Sequence, residues 1–147
     1  MMMSDVNRSD WAALILRVLL GLVMLAHSLY LKLLVFTLAG TAQFFESLGL
    51  PAVLAYLVFG VEAVAGVMLL LGYRVRLAAL ALLPILVGAT WAHAGNGWLF
   101  TNAGGGWEYP VVLAMLTWLQ FLLGGGVLAL DSRTPARGAV CHDASAP

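Results

Sequence analysis

The 147-residue chain is 63% hydrophobic and only 10% charged, with a mean hydropathy of +0.98, against the roughly 25% charged residues of ordinary soluble domains. So much apolar surface exceeds what one soluble core can hide, and at about 20 residues per crossing it predicts four membrane helices with no room for a second globular domain. Seven basic and seven acidic residues cancel, which removes the basic surface a nucleic-acid partner needs, and the single cysteine, Cys141, excludes an internal disulfide or an all-cysteine metal or iron–sulfur site.

Residues 1–10 read as a short cytoplasmic N-terminus, with Met1-Met2-Met3 leaving the initiating residue open. The first span covers about 11–36, free of proline and anchored at one interface by Trp11. It outruns the apolar stretch of a secretory signal and three comparable runs follow, so it reads as a retained span. From Thr41 to Gly49, Phe44, Phe45 and Leu48 recur at helical spacing beside Gln43, Glu46 and Ser47, the pattern of a short helix lying in the interface. Gly49 and Pro51 punctuate the entry to a second span over 51–71.

Gly72 and the basic turn Tyr73-Arg74-Val75-Arg76 leave space only for a tight hairpin into the third span, 77–92, where Pro84 predicts a kink. A loop rich in Gly, Asn and Trp follows from His93 to Trp107. The fourth span covers 109–130, its start marked by Glu108 at the positive end of the helix dipole and Pro110 in the first turn. Residues 131–147 form a polar tail on the cytoplasmic side. No internal repeat is visible, which leaves an inverted-repeat transporter without support.

Arg8, Arg74, Arg76, Arg133 and Arg137 all fall on the side of the termini and the second loop. Basic residues mark the cytoplasmic side of a membrane protein. The fold expected is therefore all-α: a polytopic four-helix bundle in a bacterial-type cytoplasmic (inner) membrane, both ends inside, with an interfacial helix between spans one and two.

Glu62 is the most informative residue, because it lies at the middle of span two on a side chain too short to reach either surface. A charge at that depth costs about 2.5–3.5 kcal/mol on insertion scales, so it needs a partner or a neutral form, and it serves either function or helix packing. Depth at about 1.5 Å per residue ranks His27 as its nearest partner, with Gln120 of span four in a similar layer. A His–Glu pair there can move a proton or hold the polar head of a small ligand. Arg17, Gly21, Ser28 and Lys32 share one helical face, a stripe of polar and small residues expected against protein, although Arg17 and Lys32 can each simply snorkel to opposite interfaces.

On the outer side Trp91, His93, Asn96, Trp98, Asn102, Trp107, Glu108 and Tyr109 gather. They suit an aromatic belt, or a lid whose contacts with a ligand come from Asn102, Trp107, Glu108 and Tyr109. No pair among His27, His93, Glu62 and Glu108 has the i, i+3 or i, i+4 separation of a helical metal site, and no metal is expected.

The ordered set Arg17-x-x-x-Gly21, His27-x-x-x-x-Lys32, Phe44-Phe45-x-x-Leu48-Gly49-Leu50-Pro51, Glu62-x-x-x-Gly66, Leu71-Gly72 with Arg76-x-Ala78-Ala79, and Asn102 with Glu108-Tyr109-Pro110 resembles the DoxX family of small four-helix membrane proteins. It departs at Ser28, where the family commonly has Gly, and at Leu33–Ala39, more apolar than the Gly-rich turn expected there. The resemblance implies association with membrane redox chemistry: subunits of quinol-oxidising or thiosulfate:quinone oxidoreductase assemblies, or partners of thiol-handling and oxidative-stress enzymes.

Three functional readings fit these residues. One is a redox-associated subunit that binds a quinone-like ligand, with Glu62 and His27 handling its proton and Arg17, Lys32, Gln120, Asn102, Trp107, Glu108 and Tyr109 contacting it. The second is a non-catalytic scaffold for membrane or soluble oxidoreductase partners. The third is a small-solute permease built from a homo-oligomer.

Overall fold

A computed structural model describes residues 8–133. Met1-Met2-Met3 and the tail residues Arg137, Cys141 and His142 lie outside the described residues. Five α-helices occupy the described residues: α1 (Arg8–Leu25), α2 (Leu38–Ser47), α3 (Val53–Leu71), α4 (Val75–His93) and α5 (Glu108–Leu123). No strand occurs among the described residues. Three helical stretches, Arg8–Val35, Val53–Leu71 and Val75–Asn96, are long and apolar enough to cross a membrane, and α5 is a shorter apolar helix of 16 residues.

The long helices close a ring in which α1 packs on α3, α3 on α4, α4 on α5, and α5 back on α1. Leu20 and Met24 of α1, Leu69 of α3, Leu82 and Leu86 of α4 and Leu113 of α5 meet inside it. The outside is equally apolar: Ile15, Leu34, Val87 and Met115 are each at least 60% exposed. A bundle greasy on both sides suits a lipid solvent, where the outward side chains meet acyl chains.

Span one does not continue as an α-helix. From Ala26 to Val35 it widens into a ten-residue π-helix, a form usually limited to single turns and frequent at functional sites. The chain then turns at Thr37, whose hydroxyl accepts the Gly40 amide, and runs on as α2. The interfacial helix thus begins three residues before the segment expected from its amphipathic pattern and packs against α3.

Close approach sets the α1–α3 crossing. A Cβ on Gly21 would lie 2.9 Å from the Gly66 carbonyl oxygen, and one on Gly66 would lie 3.2 Å from that of Gly21, so the two backbones touch where no side chain fits. At the far end of α3, Gly72 takes φ +68°, and the Gly72 and Tyr73 amides bond back to Leu69 and Met68. This two-bond closure lets α4 start within three residues. α4 is continuous through Pro84.

The helix of the fourth expected span, α5, ends earlier than its apolar run. α5 stops at Leu123 because Gly124-Gly125-Gly126 follows, with φ +78° at Gly124 and +66° at Gly126. The next residues fold back under the bundle, where the Val127 amide bonds to Asp10 and the Asp131 amide to Gly72. The start of α1, the α3–α4 turn and the segment after α5 therefore meet at one end. α2, the loop after α4 and the starts of α3 and α5 occupy the other.

Candidate functional site

Glu62 is the tenth of the nineteen residues of α3, about 13 Å from either helix end. It is buried among apolar side chains, 5% exposed. Its partner is Lys32, whose Nζ lies 2.5 Å from Oε2 in the one ion pair among the described residues. The expected pairing with His27 is not formed, and helix geometry explains why.

Measured from the Gly21–Gly66 crossing, Glu62 lies four residues along α3, about 6 Å. On a uniform α-helix Lys32, eleven residues along, would lie about 16 Å out and two side chains would have to span the difference. The π segment holds more residues per turn, which shortens the climb, while Lys32 keeps to the side of Gly21 that meets α3 and His27, six residues on from Gly21, points about 120° away from it on a regular helix. The lysine stem then reaches inward rather than snorkelling outward. Its side chain is 17% exposed against 6% for Glu62, so the cationic end of the pair faces the way out.

His27, one π-turn before Lys32, is half-buried and packs its ring against Tyr109 at the start of α5, with centroids 5.8 Å apart. The interior thus carries an ammonium and a carboxylate in contact, with an imidazole and a phenol in the adjoining layer. Ser28, fully buried on the same segment, donates its hydroxyl to the Met24 carbonyl at 3.0 Å.

Arg17 belongs to the other end. Although 2% exposed, it has no carboxylate partner among the described residues. Its Nη1 donates to the Leu69 and Leu70 carbonyls at 2.9 and 2.7 Å, Nε to Gly125 at 3.0 Å and Nη2 to Val127 at 3.3 Å. The guanidinium satisfies the last-turn carbonyls of α3 where the helix dipole is negative, and ties the segment after α5 to that end. Nothing brings it near Glu62. Gln120 is fully buried, yet its amide donates to Gly124 at 2.6 Å, not to Glu62.

Asn102, Trp107 and Glu108 are engaged in the loop itself. Asn102 donates to the Asn96 carbonyl at 2.9 Å, and Asn96 in turn donates to Gly104 and Gly105. His93 Nδ1 lies 3.0 Å from the Gly104 carbonyl, an acceptor that calls for the proton on that nitrogen. Glu108 accepts the Phe100 amide at 3.3 Å, and the Trp107 ring meets Trp98 edge-on with centroids 4.4 Å apart. The loop is a self-bonded cap over the end of α4. Beside it an open apolar groove of about 420 Å³ runs between α4 and α5, lined by Val87, Trp91, Trp107 and Val111.

Asp131 is a site residue that the sequence does not single out. Its Oδ2 accepts the Val75 amide at 3.2 Å, capping α4 from 56 residues away. An acidic residue just after an apolar run is the available signal, but nothing local says which helix it caps.

The family model described as DoxX matches residues 12–95, which include Arg17, His27, Lys32 and Glu62. A Bacillus subtilis (strain 168) protein named "Putative oxidoreductase CatD" is 30% identical over 126 residues, covering 85% of this chain and 89% of that protein. No solved structure matches.

Proposed function

The chain belongs to the DoxX family, and on that premise we propose that it is a redox-associated membrane subunit that binds a quinone-like lipophilic ligand at the polar centre of Lys32, Glu62 and His27. The observation that carries the proposal is the Lys32–Glu62 pair itself, a charged contact at mid-span in an otherwise apolar bundle. Desolvating two charges to this depth rarely improves stability over a well-packed apolar pair, so its presence argues for use.

The donor set suits such a ligand. A quinone offers carbonyl acceptors and, once reduced, acidic hydroxyls. The ammonium of Lys32 and an imidazole N–H of His27 can donate to carbonyls, and the Glu62 carboxylate can take a hydroxyl proton while Lys32 compensates its charge. A ring entering from the lipid would find Tyr109 beside His27. With one hydroxyl proton taken by Glu62 and the other by the free ring nitrogen of a neutral His27, the two electrons of the quinol would pass to a membrane or soluble oxidoreductase partner, in keeping with the name of the Bacillus relative. Arg8, Arg74 and Arg76 cluster at the end where α1 begins, so this end is assigned to the cytoplasm, with the Lys32–Glu62 pair opening toward the outer half of the inner membrane.

The scaffold reading has its own support, because the pair is satisfied within the chain and joins span one to span two. The Glu62→Gln substitution separates the two. In lipid nanodiscs, a short-chain ubiquinone or menaquinone analogue should raise the Tm of the unmodified protein and leave that of E62Q unchanged. Equal shifts, or none in either protein, would refute the ligand role and leave the pair as a helix joint.

A further inference from the structure

The end assigned to the cytoplasm carries a second arrangement that the redox reading does not use. An open cleft of about 510 Å³ lies between the start of α4 and the glycine turn after α5, lined by Arg74, Arg76, Leu77, Leu123, Gly125 and Asp131 among others. Two guanidiniums border it, and neither forms an ion pair among the described residues. The Arg74 guanidinium stands over the Tyr73 ring, 5.6 Å from its centroid, and that of Arg76 lies beside Gly124.

The one carboxylate in the lining, Asp131, gives an oxygen to the Val75 amide. Behind the floor of the cleft, Arg17 holds the Gly125 carbonyl and adds a buried positive charge with no carboxylate of its own among the described residues. Three cations thus stand around one lining anion. On the lipid side of the same cleft Leu77 and Leu123 are 51% and 43% exposed.

Cations above and exposed leucines beside them, at the end of a bundle set in lipid, match one kind of molecule: a negative headgroup on apolar chains. We propose that this cleft binds an anionic membrane phospholipid, its phosphate between Arg74 and Arg76 and its acyl chains against Leu77 and Leu123. Gly124 leaves room for the headgroup beside Arg76, because a Cβ there would stand 3.5 Å from the Arg76 Nε, in the space the phosphate needs. A bound lipid would then brace α4, α5 and the segment that Arg17 ties to α3, without touching the Lys32–Glu62 centre.

Native mass spectrometry of the full chain, equilibrated with equal amounts of phosphatidylglycerol and phosphatidylcholine, tests this. The unmodified protein should retain phosphatidylglycerol preferentially, and R74Q/R76Q should lose about 30-fold of that preference, given the usual attraction of two basic side chains for an anionic surface. An R8Q control removes a charge from the same end but outside the cleft and should keep the preference. Salt at about 0.5 M should weaken retention in the unmodified protein too, which tests the electrostatics without any substitution. Equal retention of both lipids, an undiminished preference in R74Q/R76Q, or full displacement of phosphatidylglycerol by millimolar inorganic phosphate would overturn the proposal.

Discussion

Removing either partner of the Lys32–Glu62 pair should cost different amounts, and the asymmetry follows from depth. Lys32→Met leaves a carboxylate that is 5% exposed at the tenth of nineteen residues in α3, on a side chain too short to reach either surface. An uncompensated charge in such a place costs about 3–5 kcal/mol. Glu62→Leu leaves an ammonium on a long stem, three residues from the end of the π segment and already 17% exposed. That side chain can swing outward to the interface, so the cost should be only about 1–2 kcal/mol.

The double variant K32M/E62L removes both charges and should fall within about 1 kcal/mol of the unmodified protein. Reversible unfolding in mixed detergent micelles, run as a double-mutant cycle, reads all three values. Single substitutions that each cost under about 0.5 kcal/mol and simply add would show that the pair does not form. A larger loss for E62L than for K32M would show that the depth assignment is inverted.

Arg17→Met should destabilise by about 3–5 kcal/mol, because it strands carbonyls at the end of α3 and frees the segment after α5. Arg17→Lys should recover little of this, since an ammonium cannot reach four carbonyls spread over α3 and the segment after α5, and the same micelle titration reads both. Gly21→Val should cost about 1–3 kcal/mol by wedging the α1–α3 crossing apart, with an accompanying loss of the Lys32–Glu62 contact. Cysteine cross-linking across that crossing would report the separation.

Much of this architecture is legible in the residues because lipid imposes so strong a pattern. The apolar runs mark the helices, and Glu62 falls at the centre of α3 whether the span is drawn from residue 51 or from Val53. The stripe of Arg17, Gly21 and Ser28 does turn inward, as its spacing implies, and all three are buried. What misleads is the assumption of uniform helix. Ten residues of π-helix bring Lys32 nearer the level of Glu62, and no propensity in Ala26–Val35 announces them.

The end of α5 is hidden for a different reason. Three glycines interrupt a run that stays apolar to Leu130, and hydropathy averaging passes over them, so Val127 reads as part of the helix although it belongs to the returning segment. Arg17 and Asp131 act through backbone groups 52 to 110 residues away in sequence, contacts that only the closed bundle specifies. Their side-chain types advertise charge, whereas their role here is capping.

We propose that the Lys32–Glu62 pair is kept for chemistry rather than for stability. Quinone-dependent redox activity in native membranes carrying K32M/E62L at normal abundance tests this most directly, because the double variant removes the charges while leaving the bundle packed. The predicted result is a wild-type protein level with the activity lost; activity equal to that of the unmodified protein would contradict it.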